Sequence, residues 1–503
     1  MYPGATRRRR PLALLLQLAL FATLPDVAAS RADAPPVETE ELSQLRSAAG
    51  VLAVTLQAAP GKVQVGKLEL DGATYNGLYA GPVLRVHAGD LLRVRLVNHL
   101  AEPTNLHFHG IQTSPLGNAD NVHLAIAPGE GFTYEVRIPI TQPPGMYWYH
   151  SHIHGLSEKQ VMGGLSGALV VDPIEAPATG PAERIFVLKD MVFDDDTGNP
   201  MIDDELHGIV QSINGRLSID ASLNPGETQL WRFTNQSADR AFHIAVEKHR
   251  LRVVALDGEA TIGARTVDVL DIMPSARADV LIEGGTPGRY ALLSKGAMTG
   301  TGADRQFDRV LGHLTVAGDP VAPTVQPPTV PPTPDLRSVP IAARRTVVFT
   351  QTKTLKASAR HFFINGQLFD AMRVDVRVPL GNVEEWTVRN DSDDLHVFHI
   401  HQLGFQVVAI NGTAVPFTGR VDTIRVPERG EVTLRMAFTD ALILGRFMFH
   451  CHVLLHEDLG MMGQIEVYDP RPAGLGLQLY RLYLHLWWWM HGVPWSLCGL
   501  GYA

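Results

Sequence analysis

The sequence predicts an all-β chain of three consecutive Greek-key β-sandwich or barrel domains, and three observations carry the prediction. The same order of signals recurs in three blocks, the strands inside them alternate apolar and polar residues, and 46 glycines and 34 prolines punctuate the 503 residues with turns. Length agrees, at roughly 150 residues per domain.

The first block runs YNGLYAGPVLRVHAGDLLRVRLVN, then NLHFHG, then PPGMYWYHSH. The second repeats this as INGRLSIDASLNPGETQLWRFTN, AFHIAVEKHRLRVVALDG and TPGRYALLS, and the third as INGQLFDAMRVDVRVPLGNVEEWTVRN, HVFHIHQLGFQVVAING and LGRFMFHCH. Runs such as LLRVRLV put apolar side chains on one face of a half-buried strand, as closed sandwiches require. Domains are expected at 48–175, 181–318 and 341–470, with a weak break around Pro173 to Pro181. The proline-rich stretch 319–340 has no apolar periodicity and is expected to be an extended linker.

The ends are of a different character. Arg7 to Arg10, the apolar run Leu12 to Leu24 and the small-residue site Val27-Ala28-Ala29 make residues 1–29 an expected export signal, by the twin-arginine or the general secretory route. The mature chain is then periplasmic or extracellular. Residues 471–503 form an apolar tail that, from Leu475 to Ala503, holds Trp487, Trp488, Trp489 and Trp495 with one formal charge, Arg481. That tail fits either a weak association with a membrane interface or an extension with no core to join. A net charge of −9 excludes nucleic acid as the main partner, and two cysteines, Cys451 and Cys498, exclude a disulfide framework.

Four His-x-His pairs occur: His107 and His109, His150 and His152, His399 and His401, His450 and His452. Random placement of 21 histidines gives about one such pair. Residues two apart on a strand face the same side, so each pair offers two imidazoles to one cavity, and eight imidazoles suit several metal ions. The middle block keeps only His243 and Leu292 to Ser294 at the aligned strands, so it is expected to space the outer two and bind no metal. His154 extends one pair and is read as a neighbour of the site.

Cys451 lies between His450 and His452, so alternation turns its thiolate away from their cavity toward a second metal. A thiolate, two imidazoles and a weak axial thioether make a blue-copper electron-transfer set, available here as Cys451, His396, His456 and Met461, with Met462 competing for the axial place. Zinc takes Cys and His but accepts no electron, and non-haem iron would require carboxylates that the histidine strands lack.

Together HFHG, YHSH, HVFHIH and HCHVLLHEDLGMM resemble the signatures of the multicopper oxidases, over roughly residues 50 to 470, in the three-domain laccase-like branch. The resemblance implies cupredoxin-like domains and four coppers per chain. A type 1 ion is implied at His396, Cys451, His456 and Met461, and a type 2 ion at His107 and His399. A type 3 pair is implied at His109, His150, His152, His401, His450 and His452. It implies electrons entering at the type 1 site and passing through Cys451 to His450 and His452, with dioxygen reduced to water. Asp120 and Glu457 resemble the carboxylates that relay protons in this family. The implied partners are dioxygen and a small reductant (a phenol, an aromatic amine or Cu(I)), and a monomer is expected. The rival function is a copper-resistance protein that oxidises or sequesters Cu(I). Asp391, Asp393 and Asp394 beside His396 suit a cationic donor or, equally, a solvated turn that caps a strand, while the third block has no methionine-rich insertion, Met372 and Met436 being isolated.

Overall fold

The computed structural model describes residues 42–65, 68–174, 180–193, 208–297, 306–322, 333–352 and 360–471. The expected export signal, the middle of the linker and the tryptophan-rich tail with Cys498 lie outside them.

Described strands form six sheets, two in each block. In the first block Val51–Val65 runs parallel to Leu91–Asn98, which pairs antiparallel with Gly131–Arg137. Ala182–Phe193, Thr228–Asn235 and Arg277–Glu283 repeat this arrangement, as do Ala343–Gln351, Asn382–Asn390 and Glu431–Phe438. The second sheet is copied in the same way. Gly81–His87 lies parallel to Ser166–Asp172, followed antiparallel by Gly145–His150 and His107–His109. Its counterpart in the third block is Val376–Pro379, Met462–Tyr468, Gly445–Cys451 and His396–Ile400. The sequence repeat is therefore a repeat of hydrogen-bonding order.

Alternation does what the sequence expects. Leu92, Val94 and Leu96 are buried while Arg93 and Arg95 between them are exposed, and the buried set meets Leu84, Val86, Leu169 and Val171 of the facing sheet. Trp231 with Phe186 and Phe233 fills the middle core, and Trp386 with Phe438 and Phe449 the third.

The predicted linker departs from an extended spacer at its C-terminal end. Leu336 is buried, its N–H donates to Gln406 Oε1 at 2.7 Å, and Arg435 Nη1 donates to its carbonyl at 2.9 Å. One apolar side chain in a polar, proline-rich run is enough to dock it on the third domain.

First and middle domains are joined by buried ions. Arg85 pairs with Asp172 and Glu183, and Arg232 holds Glu183 at 2.6 Å and also pairs with Asp279. Lys189 lies nearby with no exposed surface, donating to Ser166 Oγ at 2.6 Å and to Val161 O at 3.1 Å, its ammonium 4.8 Å from the Tyr79 ring centroid. Burial pushes the Lys189 amine down to about 7. Between its unfolded pKa, about 10.4, and the folded value, the unfolded chain holds a proton that the folded chain releases. The buried amine therefore costs stability most at and below pH about 7, and that cost shrinks as pH rises toward the unfolded pKa. Wild-type stability is expected to rise between pH 7 and 9 by up to about 1.4 kcal/mol per unit more than that of Lys189→Met, read from denaturant midpoints.

Candidate metal centre

Register brings the histidine strands together. His107 stands opposite His150 in the first domain, and His399 opposite His450 in the third. Cross-strand neighbours of this kind hold their side chains about 5 Å apart on one face. The two sheets meet so that His152 Nε2 of the first domain lies 3.3 Å from His450 Nε2 of the third, and His401 Nε2 lies 3.2 Å from the same atom. His107 stacks on His401, and His109 on His399, each with centroids 3.9 Å apart. All eight imidazoles are buried.

Their outer nitrogens are held by the protein. His107 Nδ1 lies 3.0 Å from both oxygens of Asp120, His399 Nδ1 donates to the Asp422 carbonyl at 2.8 Å, and His450 Nδ1 lies 3.1 Å from the Cys451 carbonyl with Glu457 Oε2 2.9 Å away. The inner nitrogens are not. His107 Nε2, His109 Nδ1, His150 Nε2, His399 Nε2, His401 Nδ1 and both nitrogens of His452 are buried without a hydrogen-bond partner. Such atoms cost about 1–3 kcal/mol each unless something binds them.

Electrostatics agrees with a ligand role. Burial and mutual repulsion hold His107, His109, His399, His401 and His452 well below the ordinary imidazole range, and burial takes His150 to about 3. Neutral imidazole is the form that binds metal. Two nitrogens each about 2 Å from one ion stand about 3 Å apart, which matches the separations among His152, His401 and His450.

On the other face of the same strands lies a second cluster. His396 and His399 are three residues apart and so point to opposite sides of their strand. His396 Nδ1 and His456 Nδ1 are 3.0 Å apart, and Cys451 Sγ is 3.6 Å from each. Cys451 is fully buried; burial pushes its thiol up to about 12, so a thiolate forms there only with a cation bound. Met461 belongs to the apolar cluster that contains Cys451, whereas Met462 packs with Val122 and Met448 elsewhere, so geometry favours Met461 of the two sulfurs. Ser392 Oγ lies 2.9 Å from His396 Nε2, and Phe362 stacks on His456 at 4.0 Å.

Family models described as multicopper oxidase match residues 58–176, 195–314 and 341–471. The chain belongs to the multicopper oxidases. It is a copper-dependent oxidoreductase built of three cupredoxin-like domains. A multicopper oxidase of Staphylococcus epidermidis is 27% identical over 429 residues, 82% of this chain and 88% of that one. One from Mycobacterium tuberculosis is 27% identical, covering 89% and 93%. Among solved structures, the Campylobacter jejuni multicopper oxidase, described as a metallo-oxidase, superposes with a TM-score of 0.75 at 26% identity, covering 85% of this chain and 94% of that one. A laccase-like multicopper oxidase from Ochrobactrum sp. gives 0.72 at 28%, covering 85% and 99%.

Several neighbours of this multicopper oxidase site escape sequence reading. Asp422 Oδ1 lies 3.2 Å from His109 Nε2, a contact across 313 positions that no local motif announces. Trp148 stacks on His150 at 4.1 Å. Asp422 also lines a cavity of about 20 Å³ at the three-domain junction, with Gln142, Tyr147, Asp257 and Arg420. That is room for about one water. Asp391 and Asp393 are paired with Arg389 and Arg429, so they offer little free charge to a cationic donor. His154 packs edge-on against Phe369 and lies within electrostatic reach of His152 and Glu457, as a neighbour of the site, and His243 Nδ1 in the middle domain lies 2.6 Å from Asp271 Oδ1.

Proposed function

We propose that this multicopper oxidase couples one-electron oxidation of phenolic and aromatic amine donors to the four-electron reduction of dioxygen to water. Four coppers would be held. His396, Cys451, His456 and Met461 take the type 1 ion, and His107 and His399 the type 2 ion. His109, His150, His152, His401, His450 and His452 take the type 3 pair. The observation that carries the reading is the placement of Cys451: its sulfur joins one buried cluster while its two chain neighbours enter the other.

Copper bound there would supply reversible one-electron chemistry and a place for dioxygen. The chain does the rest. His456 is the partly exposed member of the sulfur cluster, so a donor approaches along its edge beside Phe362. Covalent bonds through Cys451 connect that cluster to His450 and His452. Asp120, against His107, and Glu457, against His450, are placed to hand protons inward at those nitrogens while water is excluded from the buried imidazoles. Residues 1–29 would direct export before the chain works.

Phenolic donors are favoured by the pairing of Asp391 and Asp393 with arginines and by the absence of a methionine-rich insertion. The Ochrobactrum relative, described as active toward lignin model compounds, supports the same class. Likeness to a metallo-oxidase supports Cu(I) oxidation as the second reading. An oxygen electrode separates them: dimethoxyphenol is expected to drive oxygen uptake at one dioxygen per four donors oxidised. Uptake with Cu(I) alone would overturn the phenolic reading.

A further inference from the structure

The middle domain contributes no imidazole, yet one of its side chains reaches Asp422, which holds two of the histidines. Arg277 is fully buried, and its Nη1 and Nη2 donate to the two oxygens of Asp422 at 2.7 and 2.6 Å. This is the planar two-point pairing that guanidinium makes and ammonium does not. The same group donates to Met146 O of the first domain at 3.3 Å, and to Ser275 O and Asp257 O at 3.1 and 3.0 Å. Gly110, which follows His109, has φ +85°, and a Cβ there would lie 2.6 Å from Arg277 Nη2. Only glycine leaves room for the guanidinium.

Asp422 is fixed from its other side as well. Asp257 Oδ1 accepts the Arg277 N–H at 2.9 Å, while its Oδ2 accepts the N–H groups of Asp422 and Thr423 at 3.2 Å each. Held in this way, Asp422 touches two histidines from two domains. Its carboxylate takes His109 Nε2 at 3.2 Å, which leaves His109 Nδ1 facing the cluster without a partner. Its carbonyl takes the His399 Nδ1 proton at 2.8 Å, which leaves His399 Nε2 facing the cluster.

We propose that Arg277 is a positioning residue of the copper cluster: acting through Asp422, the middle domain sets which nitrogens of His109 and His399 are presented to metal. This rests on the reading that those histidines hold copper. Without Arg277, Asp257 and Asp422 would face each other as uncompensated buried carboxylates, and the two rings would lose their common anchor. Partners of this kind are worth about 10- to 100-fold in metal affinity.

The test compares copper-loaded wild type with Arg277→Met, Arg277→Lys and Arg232→Met. Arg232 makes a largely buried ion pair with Glu183 and Asp279 in the same domain but has no contact with Asp422, so it reports structural loss. Readouts are copper retained after dialysis against a chelator, the paramagnetic resonance of the His107/His399 copper, and the visible absorption of the Cys451 copper. Both Arg277 variants are expected to keep the visible absorption, to lose about 10- to 100-fold in affinity for the cluster copper, and to show an altered resonance. Arg232→Met is expected to lower the melting temperature alone. Wild-type resonance and copper retention in Arg277→Lys, or the same changes in Arg232→Met, would overturn the proposal. The lysine variant, which keeps the charge, decides if the methionine variant does not fold. Wild-type protein with neither visible absorption nor resonance would instead fault the copper reading itself.

Discussion

Cys451→Ser is expected to abolish the intense visible absorption of the copper-loaded protein and to reduce donor oxidation by more than the 10- to 100-fold typical of changes around a metal's ligands. Serine nearly matches cysteine in size, and the site is fully buried, so packing changes little. The chemistry changes greatly. The sulfur lies 3.6 Å from the Nδ1 atoms of both His396 and His456, where a hydroxyl oxygen would be a hard and protonated substitute. His450 and His452 keep their places, so the imidazole cluster still loads. Visible spectra and oxygen uptake on the same sample check both halves, and a variant that stays blue would remove the sulfur site from the account.

Asp120→Ala is expected to cost about 10- to 100-fold in turnover, the second largest effect. The carboxylate is buried and does three things: it faces His107 Nδ1 at 3.0 Å, accepts the Phe108 N–H at 2.9 Å, and accepts Gln402 Nε2 at 2.7 Å. Alanine leaves these donors buried and unpaired, at about 1–3 kcal/mol each. Asp120→Asn keeps an acceptor for Phe108 but cannot carry a proton inward. Equal losses in the two variants, measured as initial rates of oxygen uptake, assign the effect to proton handling; a larger loss in alanine assigns it to orientation. Wild-type rates in the alanine variant would exclude both roles.

How much of this is visible in the sequence follows from the range of each interaction. Alternation along LLRVRLV and the His-x-His spacing are local, set by the two-residue period of a strand, and the structure repeats both. The opposite facing of Cys451 and its neighbours follows from the same period. Spacing alone left Met462 competing with Met461, because a loop has no fixed period; the family resemblance implied Met461, and packing favours the same sulfur. The anchor of His109 was invisible for a different reason. Arg277 and Asp257 of the middle domain lie 145 and 165 positions from Asp422 of the third, with no motif among them. For Asp391 and Asp393 the charge was visible in the sequence and the pairing was not: Arg389 and Arg429 are matched to them only in the fold.

The central claim is that Cys451 joins an electron-entry copper to a separate cluster of coppers in one chain. Copper-to-protein ratio, measured by elemental analysis on fully loaded wild type and Cys451→Ser, tests it most directly. The account expects four ions in the wild type and three in the variant, with the visible absorption lost together with the one missing ion. One or two ions in the wild type, or an unchanged ratio with unchanged absorption in the variant, would contradict it.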